Sequence, residues 1–160
     1  PLFFSPASNS AFENPGTMAV TLGRKIFIKP LYVTKGIVQH ETVHAFHDTR
    51  DKKFTHGWEA LFSPTLIPNK NDWLHLPSSP GILSTLGLSS IDEDIADYGE
   101  QCLRYLADTK NYKGSLLLTN HHLRGGYDPI VKLKVYWMYK FNFFDQDECN
   151  QLFKLIETPK

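Results

Sequence analysis

Gly36-Ile37-Val38-Gln39-His40-Glu41-Thr42-Val43-His44-Ala45-Phe46-His47-Asp48 is the stretch on which the reading of this chain turns. It lies in a proline-free segment, from about Thr34 to Thr49, whose residues suit a helix of about four turns. Two histidines four apart stand about 40° from each other around a helix, one turn above the other. The imidazoles of His40 and His44 can therefore converge on one tetrahedral zinc ion. Glu41 falls on the adjacent flank, where its carboxylate reaches a metal-bound water rather than the metal. Zinc acidifies such a water, and a carboxylate beside it is placed to act as general base in attack on a carbonyl. Val38, Val43, Ala45 and Phe46 make most of the helix apolar, while His40, Glu41, His44, His47 and Asp48 crowd into a sector about 120° wide. Polar groups in such surroundings need partners. The plainer alternative is a pair of core histidines satisfied by backbone and water.

Upstream of this helix, Met18–Leu22 and Lys25–Ile28 flank Gly23-Arg24 as the arms of a β-hairpin closed by Pro30. Residues 1–16, rich in Pro, Ser, Asn and Phe, read as an irregular lead-in. Residues 51–90 carry Pro64, Pro68, Pro77 and Pro80 and read as a long loop or lid. Ser90 with Glu93 three places on is a capping-box pattern that opens a second helix. On it Ile91, Ile95, Tyr98, Cys102, Tyr105 and Leu106 share one face, and Glu93, Asp97, Glu100 and Arg104 the opposite one. Asp128-Pro129 suits the start of a third helix running to about Phe143. The alternation of Val131, Leu133, Val135, Trp137, Tyr139, Phe141 and Phe143 would also suit a strand, but the Asp-Pro start and the length favour helix. Asp145 with Glu148 caps a last helix to about Glu157.

The chain has 160 residues, enough for one domain, expected to span 1–160. Seventeen Lys and Arg balance seventeen Asp and Glu, so the electrostatic surplus that sequence-independent nucleic-acid binding needs is absent and no nucleic-acid partner is expected. Apolar runs such as Leu116-Leu117-Leu118 are far too short to span a membrane. Two cysteines, Cys102 and Cys149, allow one bridge or two free thiols, and the compartment stays open. Pro1 is not a translational start, so the expectation is a piece trimmed or cut from a longer chain, which a secreted or processed protein would fit. Oligomeric state is not legible.

Two histidines do not complete a zinc site. His47 shares the helix face but lies about 10 Å along the axis from His40, too far for three ligands on one straight helix. Glu93 is the better candidate, with Asp97 one turn on, placed to hold a ligating imidazole by its other N–H. On helix pattern alone, Glu93 is equally well read as the capping partner of Ser90 on a solvated face. Asn120-His121-His122-Leu123-Arg124-Gly125-Gly126-Tyr127 would suit an oxyanion donor or carboxylate clamp, but an exposed polar turn is the better reading. His75 beside Trp73 reads as a surface or lid residue.

His40-Glu41-Thr42-Val43-His44 with Glu93-x-x-x-Asp97 resembles the gluzincin metallopeptidases, the thermolysin-like clan with a glutamate third ligand. The resemblance implies zinc held by His40, His44 and Glu93, with Glu41 as general base and Asp97 orienting a histidine. It also implies an α+β, zincin-like fold, a peptide or protein substrate, and a hairpin whose edge binds extended substrate. The 48 residues between His44 and Glu93 exceed the gap in thermolysin and look more like the lethal-factor-like gluzincins. Where that group has a tyrosine, seven residues before the glutamate, this chain has Leu86. A second resemblance competes: His44-Ala45 and His56-Gly57-Trp58-Glu59-Ala60-Leu61-Phe62 are similar to SprT-like proteases, which would make His56 the third ligand. Glu93 is preferred, because SprT-like proteases usually bring basic DNA-binding segments. The alternative from another class is a non-catalytic binding module whose zinc is structural, against which an intact Glu41 argues.

Overall fold

The computed structural model describes residues 3–6, 17–48, 52–61, 81–84, 86–107 and 129–157. It is α+β, with a small sheet followed by helices. The chain divides into two compact units, residues 1–50 and 51–160.

The first unit is a three-stranded sheet and one helix. Strands β1 (Phe3–Pro6), β2 (Ala19–Leu22) and β3 (Lys25–Ile28) lie in the order β1-β3-β2. The hairpin β2–β3 is antiparallel, pairing Ala19 with Ile28 and Thr21 with Ile26. Gly23 takes a φ of 59° at the first turn position, a conformation glycine reaches without strain. β1 pairs with β3 in parallel, which corrects the expected irregular lead-in over 1–16. A parallel partner is set by long-range pairing, for which Phe3-Phe4-Ser5-Pro6 carries no local alternation of its own. Past a 3-10 turn at Pro30–Tyr32, helix α1 (Lys35–His47) begins at Thr34, whose hydroxyl caps Ile37 N at 3.3 Å. Ile26, Ile28 and Ala45 form the small core, with Ala19, Ile37 and Val38 against it.

The second unit is helical. Helix α2 (Lys52–Leu61) replaces part of the loop expected over 51–90. Phe54 and Trp58, one turn apart, bury a stripe that stabilises it. Helix α3 (Ile91–Ala107) starts at Ser90, whose hydroxyl accepts from Glu93 N at 3.1 Å. Helix α4 (Pro129–Lys140) settles the helix-or-strand ambiguity: Val131, Lys134, Val135 and Met138 are buried at helical spacing, while Leu133 and Tyr136 are exposed. It ends in a Schellman motif, with Asn142 at φ 59° and bonds from Asn142 N to Tyr139 O and from Phe143 N to Met138 O. Helix α5 (Gln146–Glu157) has a complete capping box: Glu148 N donates to Asp145 Oδ1 at 2.8 Å, and Asp145 N to Glu148 Oε2 at 2.9 Å. The aromatic core joins Phe54 to Trp58, Phe141 and Phe143, with ring centroids 5.1–5.6 Å apart. Among the described residues no helix is long and apolar enough to cross a membrane.

Candidate metal centre

His40 and His44 project from one side of α1, and their Nε2 atoms stand 3.2 Å apart. The rings meet edge to face, with centroids 4.9 Å apart. His40 is buried and His44 half-buried. Two nitrogens bound tetrahedrally at about 2.0–2.1 Å from one zinc are separated by about 3.3 Å. The ring pair therefore already has the spacing of one edge of a zinc tetrahedron. The donor set fits the metal.

Glu41, between them in sequence, is buried. Its carboxylate Oε2 accepts a 2.6 Å hydrogen bond from the Thr21 hydroxyl on β2, which also lies 3.1 Å from the Glu41 carbonyl. His47 is buried as well, one turn further along α1. Of the polar sector expected on this helix, His40, Glu41 and His47 are buried, His44 is half-buried and Asp48 is exposed.

In the second unit, Glu93 is half-buried in the first turn of α3, and the other arm of the pattern, Asp97, is buried one turn on. Asp97 Oδ2 accepts from the Ser84 hydroxyl and, at 3.1 Å, from Gly87 N. Close approach explains the glycine: a Cβ on Gly87 would come within 3.2 Å of both Asp94 and Asp97 carboxylate oxygens. The middle of α3 is buried on nearly every side, including the acidic positions Asp94 and Asp97, so the simple division into an apolar and a solvated face does not hold. Leu86, where a tyrosine would steady an oxyanion in the family resembled, is exposed and brings only its backbone. His56, the competing ligand, sits on the outer side of α2 with its side chain 74% exposed, its Nδ1 3.1 Å from Glu59 Oε2. His75, Trp73 and the Asn120–Tyr127 motif lie outside the described residues.

Sequence reasoning missed two features. Thr21 is one, because the contact joins residues twenty apart and leaves no local pattern. The other is Lys134, fully buried on α4, which donates to Asp94 Oδ2 at 2.5 Å and to the Gly81 carbonyl at 2.6 Å. A lone lysine in an otherwise apolar-aromatic helical face was its available signal. No protein-family model matches this chain, and comparison with curated proteins and with solved structures gives no match either.

Proposed function

We propose that the chain is a zinc-dependent metalloendopeptidase of the gluzincin type, hydrolysing peptide bonds with Glu41 as general base. The observation that carries this reading is the His40–His44 pair, with Nε2 atoms 3.2 Å apart on a helix whose intervening Glu41 is buried and hydrogen-bonded. A pair of merely structural histidines has no need of an acidic residue between them in the sequence. In this reading His40 and His44 supply two imidazoles and Glu93 the carboxylate that completes a three-ligand set.

Zinc bound by these residues supplies Lewis acidity, which polarises a carbonyl and lowers the pKa of water. Glu41 takes a proton from the attacking water as the C–O bond forms, and returns it to the amide nitrogen as the C–N bond breaks. Its burial keeps bulk water from competing for that proton. Asp97 is held in place by hydrogen bonds from the Ser84 hydroxyl and Gly87 N.

Zinc content measured beside cleavage of a fluorogenic peptide library tests the proposal. The parent chain should bind about one zinc, and His40→Ala or His44→Ala should weaken binding by orders of magnitude. Glu41→Gln should keep the metal and the fold while hydrolysis falls by at least about 10²–10⁴. Full zinc occupancy in both histidine variants, or unchanged cleavage by Glu41→Gln, would sink the assignment.

A further inference from the structure

Thr21 stands on the wrong face of its strand for an ordinary threonine. In the hairpin it pairs with Ile26, which is fully buried, and it shares a side of the sheet with Ala19 and Ile28, the residues that pack on α1. Its more apolar neighbour Leu22 points the other way and is exposed. A hydroxyl among core-facing positions costs stability unless it is hydrogen-bonded. Here it finds Glu41 Oε2 at 2.6 Å. This is a short, well-formed hydroxyl–carboxylate hydrogen bond. The Glu41 carbonyl at 3.1 Å is the poorer acceptor of the same proton.

We infer that Thr21 is a positioning residue for the Glu41 carboxylate, an inference that rests on the hydrolytic reading above. The hydroxyl occupies Oε2, fixes the terminal torsion of the glutamate, and leaves proton transfer to Oε1. Without it, a carboxylate on three rotatable bonds samples several orientations and only a fraction meet the attacking water. General-base catalysis requires hydrogen-bond reach to the proton being taken, and a displacement of about 1 Å can cost on the order of 10² in rate. The hairpin thereby acts on the base through a side chain as well as through packing.

The test uses the full chain with Thr21→Val, which keeps the β-branched shape, and Thr21→Ser, which keeps the hydroxyl. NMR of the chain labelled with 13C at the glutamate carboxyls, with Glu41 assigned through Glu41→Gln, reads the contact without metal or substrate. The Glu41 resonance should move in Thr21→Val and return in Thr21→Ser. Zinc content should be equal in all three proteins. With a fluorogenic peptide, kcat should fall by about 10–100-fold in Thr21→Val at unchanged KM, and Thr21→Ser should restore it. A Glu41 resonance indifferent to Thr21→Val overturns the assignment whatever the activity. So does an active parent whose Thr21→Val variant keeps full kcat, and this leaves the hydrolytic reading intact. A parent that binds zinc and cleaves no peptide overturns the hydrolytic reading itself, and the positioning role with it.

Discussion

Lys134 spends its charge entirely inside the second unit. Its ammonium meets Asp94 Oδ2 at 2.5 Å and the Gly81 carbonyl at 2.6 Å, and lies 4.9 Å and 5.3 Å from the rings of Tyr98 and Trp58. Asp94, fully buried too, also accepts from Trp58 Nε1 at 2.7 Å, and Tyr98 donates to the Gly81 carbonyl at 2.7 Å. Burial pushes the Asp94 carboxyl above its ordinary value, against the opposing pull of Lys134 and of the bonds from Lys134 and Trp58. Removing one member of such a pair strands the other, whereas replacing both by apolar groups is often neutral. Lys134→Met should therefore destabilise the fold by about 3–5 kcal/mol, and Lys134→Met with Asp94→Leu should recover most of that loss. Urea denaturation of the two proteins decides it, and a single variant as stable as the parent would refute the account. Cys102 and Cys149 give a second residue-scale expectation. Both are buried free thiols, and burial pushes each up, so the reactive thiolate is scarce. Neither should react with Ellman's reagent in the native protein, and both should react in denaturant; rapid labelling of the folded chain would contradict their placement.

Among the elements, α2 and α4 show how a motif can have a packing cause. Gly57, part of the His-Gly pair that resembles SprT-like proteases, lies where the Trp137 ring crosses the helix. A Cβ there would come within 2.0 Å of Trp137 Cζ2, and Trp137 Nε1 donates to the Phe54 carbonyl at 3.0 Å. Gly57→Ala gains about 1 kcal/mol of helix propensity. It should still destabilise the protein, because forcing apart a packed contact costs typically about 1–3 kcal/mol and here the ring is also tied by a hydrogen bond. A raised melting temperature in Gly57→Ala would show that Trp137 moves aside freely. The elements legible in the sequence are those that announce themselves locally: the hairpin around Gly23, α1 from Thr34, α4 from its Asp-Pro start, and α3 and α5 with a capping side chain at the expected Ser90 and Asp145. What escaped was held by distant partners. α2 has a central glycine, though Phe54, Trp58 and Leu61 carry the helical spacing, and β1 is defined only by the strand it joins.

For the molecule as a whole, the candidate site is legible in the sequence where its residues share one helix and open where they do not. His40, Glu41 and His44 are fixed relative to one another by one helical turn, so their spacing in the sequence already implies the ring pair that the fold displays. The third ligand has no such guarantee, since Glu93 and His56 both belong to the second unit and neither is tied to α1 by sequence spacing. If Glu93 binds the metal, zinc links residues from both units, and Glu93→Ala should strip it. Asp97→Ala should then weaken binding by roughly 10–100-fold through lost orientation of its neighbour. His56→Ala should leave the zinc in place, because that imidazole is exposed and already engaged with Glu59. The SprT-like alternative predicts the reverse. Glu93→Ala alone is ambiguous, because a change in the first turn of α3 can also loosen the cap, a loss of roughly 1 kcal/mol. Ser90→Ala removes the cap acceptor seen at 3.1 Å from Glu93 N while keeping the carboxylate, and so separates the two causes. Zinc measured by plasma emission on the gel-filtered proteins should be lost in Glu93→Ala and kept in both Ser90→Ala and His56→Ala. A fully loaded Glu93→Ala would end the gluzincin reading, and a metal-free His56→Ala would put the SprT-like one in its place.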